Sequence, residues 1–174
     1  VRYIKNIVIK GDLGTSYITQ RSVTAEIADR WPTTMLLAVM SVILGTFIGI
    51  PAGIISATRQ YSILDNLAMI LALIGVSMPN FWQGLMLIIV FSIHLAWLPA
   101  SGFYGPIYWI LPVITIGTGT AATITRMTRS SMLEVIRQDY ITTARSKGNK
   151  ESTVIMKHAL KNALIPITVI IGIS

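Results

Sequence analysis

Long stretches without a charged residue alternate with short polar intervals along this chain. A helix that crosses the hydrocarbon core of a bilayer needs about 20 predominantly apolar residues. Three of the uncharged stretches approach or exceed that length, so the pattern predicts full transmembrane helices over about 33–57, 66–96 and 109–126. The predicted fold is therefore an all-α, polytopic transmembrane domain over residues 32–174.

A fourth apolar stretch, 163–174, holds too few residues for a complete crossing. We expect the sequence to stop inside its fourth span and to lack an earlier helix. Residues 1–31 carry charges without a sustained apolar run, which predicts a segment outside the membrane. Three crossings from a cytoplasmic 127–161 make this segment extracytoplasmic. The polar interval 127–161 then forms a loop between the third span and the fourth.

Three glycines recur at a helical spacing in the first predicted span. Gly45, Gly49 and Gly53 lie four residues apart, so they share one face of the helix. Small residues let two helices approach closely inside lipid, where no hydrophobic contrast drives their association. We interpret the three glycines as a helix-packing face, with the lining of a substrate path as their alternative role.

The second uncharged stretch is too long for one straight crossing, because residues 66–100 would extend about 50 Å against a hydrocarbon core of about 30 Å. Pro79 and Asn80 interrupt it, so we expect a kinked or broken helix. A break at membrane depth is tolerated only where protein or a watery cavity covers the freed polar groups. Polar side chains near the break, and on one face of the third span, are candidates for the transport path, with bonding to neighbouring helices as their alternative role. The candidates are Ser77, Asn80, Gln83, Thr118 and Thr125.

The polar interval leads into a basic stretch, 139–166, that indicates two helical pieces around Gly148. Asn149 is expected to cap the second piece, and Glu151 lies in its first turn, where an acid suits the helix dipole. Apolar residues then recur at roughly helical spacing beside three lysines. The pattern predicts an amphipathic, cationic helix–turn–helix between two membrane segments, which is typical of a docking element.

Composition and charge support a membrane protein. Charged residues make up 12% of the chain, whereas soluble domains carry about 25%. The net charge of +7 does not indicate nucleic-acid binding, because eight of the fourteen Lys and Arg lie between Arg126 and Lys161 and none lies inside a long apolar stretch. That distribution predicts that 127–161 is cytoplasmic. With no cysteine, no phosphate-binding loop motif and no metal-spaced cluster in the sequence, we predict no catalytic residue, no metal site and no cofactor.

Two motifs in the basic stretch, TTARSKG at 142–148 and HALKNALIP at 158–166, resemble the EAA coupling loop of ABC importer permeases. Thr142 stands where the general pattern has Glu, and Lys161 stands where it has Pro. The sequence is most similar to the peptide and nickel permease branch, which includes oligopeptide and dipeptide permeases. The resemblance continues, in the expected order, in GDLGTS at 11–16, IGIPAGIISA at 48–57, VSMPNFW at 76–82, WLPASG at 97–102 and TRMTRSSMLEV at 125–135.

The resemblance implies a type I ABC importer permease fold in the cytoplasmic membrane, translocating short peptides at the expense of ATP hydrolysed by a separate subunit. The implied partners are ABC ATPase subunits, a second permease subunit and an extracytoplasmic substrate-binding protein, in a lipid membrane and without nucleic acid. The residues that it assigns to ATPase coupling are Thr142, Thr143, Ala144, Arg145, Lys147, Gly148, His158 and Leu160.

Two alternatives to a peptide importer stay open at this point. Nickel or another small solute is the alternative cargo. An ion channel or a membrane-embedded enzyme is the alternative class, and intramembrane charges or a metal-spaced cluster would favour it. The sequence leaves open whether the second permease is identical or different.

Overall fold

The computed structural model describes residues 13–173, which are helical except for short connections. The first twelve residues of the predicted extracytoplasmic segment, and Ser174 of the predicted fourth span, lie outside the described residues. The helices are α1 (Val23–Thr58), α2 (Ile63–Ser77), α3 (Asn80–His94), α4 (Ile110–Ile136), α5 (Asp139–Ser146) and α6 (Glu151–Ile173). Over the described range only an isolated antiparallel bridge, between Thr15 and Ser22, departs from helix and loop. The predicted all-α class is confirmed.

The chain divides after Ala38 into two compact units. In the first unit, Ser16 Oγ accepts hydrogen bonds from the backbone of the following turn, and Arg21 forms an exposed ion pair with Asp29 at 3.0 Å. The helix α1 begins here at Val23, ten residues before the predicted span, and Pro32 lies inside it. Proline removes a single backbone donor, and helix-favouring residues such as Ala25 and Glu26 carry the helix up to it.

Three helices among residues 13–173 are long and apolar enough to cross a membrane: Val23–Thr58, Pro106–Ile136 and Glu151–Ile173. The first turn of the second is a 3₁₀ turn, Pro106–Trp109. The third joins the second half of the predicted loop to the predicted fourth span in one helix. This continuity was not predicted, because a switch from polar to apolar residues marks where a membrane would begin and does not end a helix.

The predicted break in the second span is present. The helices α2 and α3 meet at a bend of 102°, and together they are apolar enough for one span. The bend has a local cause, because the residue before a proline avoids the helical region. Met78 is extended, with φ −79° and ψ 122°, and Pro79 then starts α3. The last residues of α3, Ile88–His94, are wound as a wider π-helix.

The helix α4 lies at the centre of the second unit. Its side chains contact α1, α2 and α3, and its last turns enter a buried apolar cluster shared with α5 and α6. Five of its six threonines donate from their hydroxyls to carbonyls of the preceding turn, as Thr125 does to Ala121 at 2.7 Å. A movement of α4 therefore reaches every helix of this unit.

Candidate functional site

The turn between α5 and α6 is the point where the predicted coupling loop changes direction. Gly148 has φ +77°, in the left-handed region that side chains with a Cβ rarely adopt, and no atom lies within 4 Å of where its Cβ would stand. Glycine is therefore required here by backbone conformation, and the space around it is open. The turn is exposed at Lys147, Gly148 and Asn149.

Two interactions hold this turn closed. Arg145 donates from Nη2 and Nε to the two carboxylate oxygens of Glu151, at 2.8 and 3.1 Å. These hydrogen bonds raise the pKa of Arg145 above its ordinary value. Asn149 donates from Nδ2 to the Ala144 carbonyl oxygen at 2.9 Å, which satisfies a carbonyl at the end of α5. The expectation that Asn149 caps the next helix is therefore wrong: Lys150 occupies that position without a side-chain bond.

The inner side of the loop is apolar and deeply buried. Ile141 from α5, Val154 from α6 and Met132 from α4 are each 0% exposed and belong to one cluster. Because protein interiors are close-packed, a displacement of the turn is passed on to both flanking helices. The loop thus shares one buried apolar cluster with α4 and α6.

The predicted coupling residues divide between the two sides of this loop. Ala144 is buried in the chain's own core, and His158 and Leu160 are half-buried on α6. The others face outward, where they are available to another molecule. The exposed residues are Thr142, Thr143, Arg145, Lys147 and Gly148.

The predicted glycine face of α1 lies directly against α4. A Cβ built on Gly45 would stand 2.7 Å from Thr120 Cγ2, and one on Gly49 would stand 2.8 Å from the Ala121 carbonyl oxygen. At Gly53 the nearest atom, Thr128 Cβ, is only 2.5 Å away. These distances are shorter than real Cβ contacts, so the two helices approach as closely as their backbones allow.

The candidate pathway residues lie around the bend between α2 and α3. Gln83 Nε2 donates to Thr118 Oγ1 at 2.6 Å and so joins α3 to α4, while its Oε1 is buried without a partner in the described part of the chain. Thr125 is buried and bonded to its own helix. Ser77 and Asn80 are exposed.

A groove of 550 Å³ runs beside this bend, between α1, α2 and α4. Aliphatic side chains form most of its wall, and its polar lining comes from three of the candidate pathway residues. These are Gln83, Thr118 and Thr125.

Sequence reasoning missed a buried ion pair. Asp65, in the first turn of α2, is 1% exposed and bonds Arg129 of α4 at 2.7 Å (Nε to Oδ1) and 2.8 Å (Nη2 to Oδ2). The pattern Ser62-x-x-Asp65 is typical of a helix start, and Ser62 Oγ does cap α2 by accepting from the Asp65 backbone N–H at 3.2 Å. It could not reveal that the carboxylate is buried, because the partner lies 64 residues away. An acid beside a purely apolar helix was the only available signal.

Metal binding has no support in the part of the chain that the structure describes. No three His, Asp or Glu side chains come together there in an arrangement that could hold a metal ion. The features with functional potential are the exposed turn at Gly148, the groove beside the bend and the helix α4 that connects them.

Comparison with known proteins identifies the family. Residues 49–174 match the family described as "Binding-protein-dependent transport system inner membrane component". The chain is 42% identical to the oligopeptide transport system permease protein AppB of Bacillus subtilis, over 99% of this chain and 59% of AppB. It is also 42% identical to the glutathione transport system permease protein GsiC of Pectobacterium atrosepticum (96% of this chain, 55% of GsiC) and of Escherichia coli K12 (99% and 56%).

These matches confirm the resemblance to peptide-branch permeases that the loop motifs indicated. The chain spans a little over half the length of the curated relatives it matches. Its apolar helices agree with the inner-membrane location in the family's description. The chain is thus a multi-pass membrane protein and belongs to the family of inner membrane components of binding-protein-dependent transport systems.

Proposed function

We propose that this chain is the membrane-spanning permease subunit of an ATP-driven ABC importer, and that its loop around Gly148 docks on a separate ATPase subunit. The single observation that carries the proposal is the construction of the loop. The Arg145–Glu151 ion pair and the Asn149–Ala144 hydrogen bond hold the exposed turn closed. On the inner side of the loop, residues that are 0% exposed pack against α4 and α6. When another molecule displaces a loop of this kind, the membrane helices packed against the loop are displaced with it.

In this proposal, closure of the ATPase pair on ATP displaces the turn as a rigid body. The close-packed cluster carries the displacement into α4 and α6, because packed interiors shift between discrete arrangements rather than deforming continuously. The exposed members of the predicted coupling set supply the contact surface. Ala144, His158 and Leu160 lie on the inner side of the loop and support this contact surface.

Short peptides are the cargo that we propose, because the relatives are named for oligopeptide and glutathione transport. A second permease subunit and an extracytoplasmic substrate-binding protein complete the assembly. The exposed aliphatic side chains of α2 outside the groove, among them Ile70 and Leu73, offer a surface for a second permease or for lipid. The groove bordered by Gln83 and Thr118 is the part of the pathway that this chain contributes.

The test compares two substitutions at Gly148 in the full-length protein, co-expressed with candidate ATPase subunits. Gly148→Asn keeps the turn, because asparagine tolerates the left-handed region, whereas Gly148→Val forces a β-branched residue into it. That strain is worth about 1–2 kcal/mol, which corresponds to roughly tenfold in an equilibrium constant. We therefore expect detergent co-purification of the ATPase to fall about tenfold in Gly148→Val and to survive in Gly148→Asn.

Deletion of the exposed turn provides the limiting case for the same assay. A full-length protein that lacks residues 147–150 but still elutes as a folded species should capture no ATPase. Undiminished capture by both this deletion and Gly148→Val would contradict docking through the loop.

A further inference from the structure

The carboxylate of Asp65 is a junction between three parts of the chain. Arg129 of α4 takes both oxygens in the two-pronged geometry described above. Ser56 of α1 donates from Oγ to Oδ1, and the backbone N–H of Tyr61 donates to Oδ2 at 2.9 Å. Tyr61 adopts φ +63°, which is uncommon for a residue with a side chain. The connection between α1 and α2 is therefore folded so that its N–H reaches Asp65.

Stability alone is a weak reason for this arrangement. Removing a carboxylate and a guanidinium from water is costly, and well-packed apolar residues often stabilise a protein as much as a buried ion pair does. The pair adds a defined orientation between the two helices that carry it, because a planar guanidinium meets a carboxylate in one orientation. Asp65 and Arg129 thus fix how α2 sits on α4.

The pair also has a particular position along the path from the loop to the bend. Arg129 lies about two turns before the end of α4 at Ile136, where the chain enters the loop. At the far end of α2, a Cβ on Gly75 would stand 3.0 Å from Ala122 Cβ, and beyond the bend Gln83 bonds Thr118. The bent unit α2–α3 is therefore fastened to α4 at both ends.

We propose that the Asp65–Arg129 pair is a positioning joint that makes α2–α3 follow α4 when the loop moves, so that ATP hydrolysis and opening of the pathway stay linked. This inference rests on the proposed importer function. Without the joint, the loop could still drive α4 while α2–α3 lags behind. ATP would then be hydrolysed with little cargo moved.

The test uses the full-length protein with its ATPase, second permease and binding protein in proteoliposomes, with a short radiolabelled peptide as cargo. In the double variant Asp65→Asn/Arg129→Gln the site stays polar but carries no charge. We expect retained ATPase activity and a fall in peptide transported per ATP of about fivefold or more, the lower range of coupling between sites. Arg126→Gln is the matched control, because Arg126 is exposed on the same helix one turn earlier. It should leave the ratio unchanged.

A second variant covers the case in which the double variant does not assemble. Arg129→Lys keeps a positive charge beside Asp65 but loses the two-pronged geometry. We expect normal assembly and an intermediate fall in the transport-to-ATP ratio. An unchanged transport-to-ATP ratio in Arg129→Lys, and in the double variant if it assembles, would overturn the joint.

A distance measurement separates failure of this inference from failure of the importer proposal. Spin labels at the exposed positions Ile63 and Glu134 report how the start of α2 sits relative to the end of α4. We expect a narrow distance distribution in the otherwise unsubstituted full-length protein and a broadened one in the double variant or in Arg129→Lys. Equal distributions would overturn the joint even if the complex imports peptide. A complex that imports no peptide while the distributions differ would contradict the importer proposal and leave the joint standing.

Discussion

Single glycines serve two opposite purposes in this chain. Gly148 occupies open space and is needed for its positive φ, whereas Gly53 has no special backbone angle and is needed because Thr128 leaves no room for a Cβ. The same residue type therefore acts through conformation at the loop and through volume between α1 and α4. Substitutions at the two positions should fail for different physical reasons.

The lack of space for a Cβ at Gly53 predicts the effect of Gly53→Val on stability. The new Cβ would stand 2.5 Å from Thr128 Cβ, and overpacking of this kind costs about 1–3 kcal/mol. We expect a lower unfolding midpoint for the detergent-purified full-length protein, measured by thermal unfolding. Gly84→Ala is the matched control, because its Cβ would meet Thr115 at an ordinary 3.7 Å and a helical Gly→Ala change gains roughly 0.5–1 kcal/mol. A midpoint for Gly53→Val equal to or above that of the parent protein would contradict the close approach of α1 and α4.

At the scale of elements, Pro79 sets the angle between α2 and α3 because it restricts the backbone of the residue before it. It excludes Met78 from the helical region and leaves α2 and α3 at 102° to each other. Gln83, one turn beyond the bend, is thereby brought to Thr118. The bend and the amide–hydroxyl bond together define one edge of the groove beside α4.

Replacing Pro79 with alanine should loosen this bend. Met78 could then join the helix, and the angle between α2 and α3 would be fixed only by their contacts with α4. Spin labels at the exposed positions Leu67 and Ile93 should show a distance distribution that broadens toward longer values in Pro79→Ala. Pro106→Ala is the control, since Pro106 lies in the 3₁₀ turn before α4. The idea fails if Pro79→Ala and Pro106→Ala give the same narrow distribution.

Elements were the scale at which the sequence was most informative. Uncharged length predicted long apolar helices, and the proline predicted the break, because both act locally along the chain. The continuity of α1 from Val23 through Pro32 into the span was missed, since hydropathy marks the membrane and not the helix. Asn149 was assigned to the wrong helix end. Its side-chain amide could cap either the end of α5 or the start of α6, and the geometry of the turn brings it to the end of α5. The Asp65–Arg129 pair needed a long-range contact that no local pattern contains.

For the molecule as a whole, charge gives a direction relative to the membrane. Eight of the fourteen Lys and Arg lie between Arg126 and Lys161, and cytoplasmic loops carry such an excess. Aromatic residues such as Trp97, Tyr104 and Trp109 gather in the connection before α4, as expected at a membrane–water interface. Both signals predict that the Gly148 turn faces the cytoplasm and that the connection around Ser101 faces outward.

Single introduced cysteines test this orientation directly. Ser101 and Ser146 are both exposed, and the sequence from 1 to 174 contains no cysteine to interfere. In intact cells that express the full-length protein, freed of any further cysteines, a membrane-impermeant maleimide should label Ser101→Cys. Labelling of Ser146→Cys should require permeabilisation. The reverse pattern would place the loop outside and contradict its docking on an ATPase that hydrolyses cytoplasmic ATP.

The close fit between α1 and α4 also has a consequence for biosynthesis. Gly53 meets Thr128, and at about 5–20 residues per second the ribosome needs on the order of 4–15 s to synthesise the roughly 75 residues between them. For that time the glycine face of the newborn α1 lacks the α4 surface that it packs against. The insertion of α4 then covers this face, and a translational pause within α2 or α3 would prolong the period in which α1 can associate with the wrong helix.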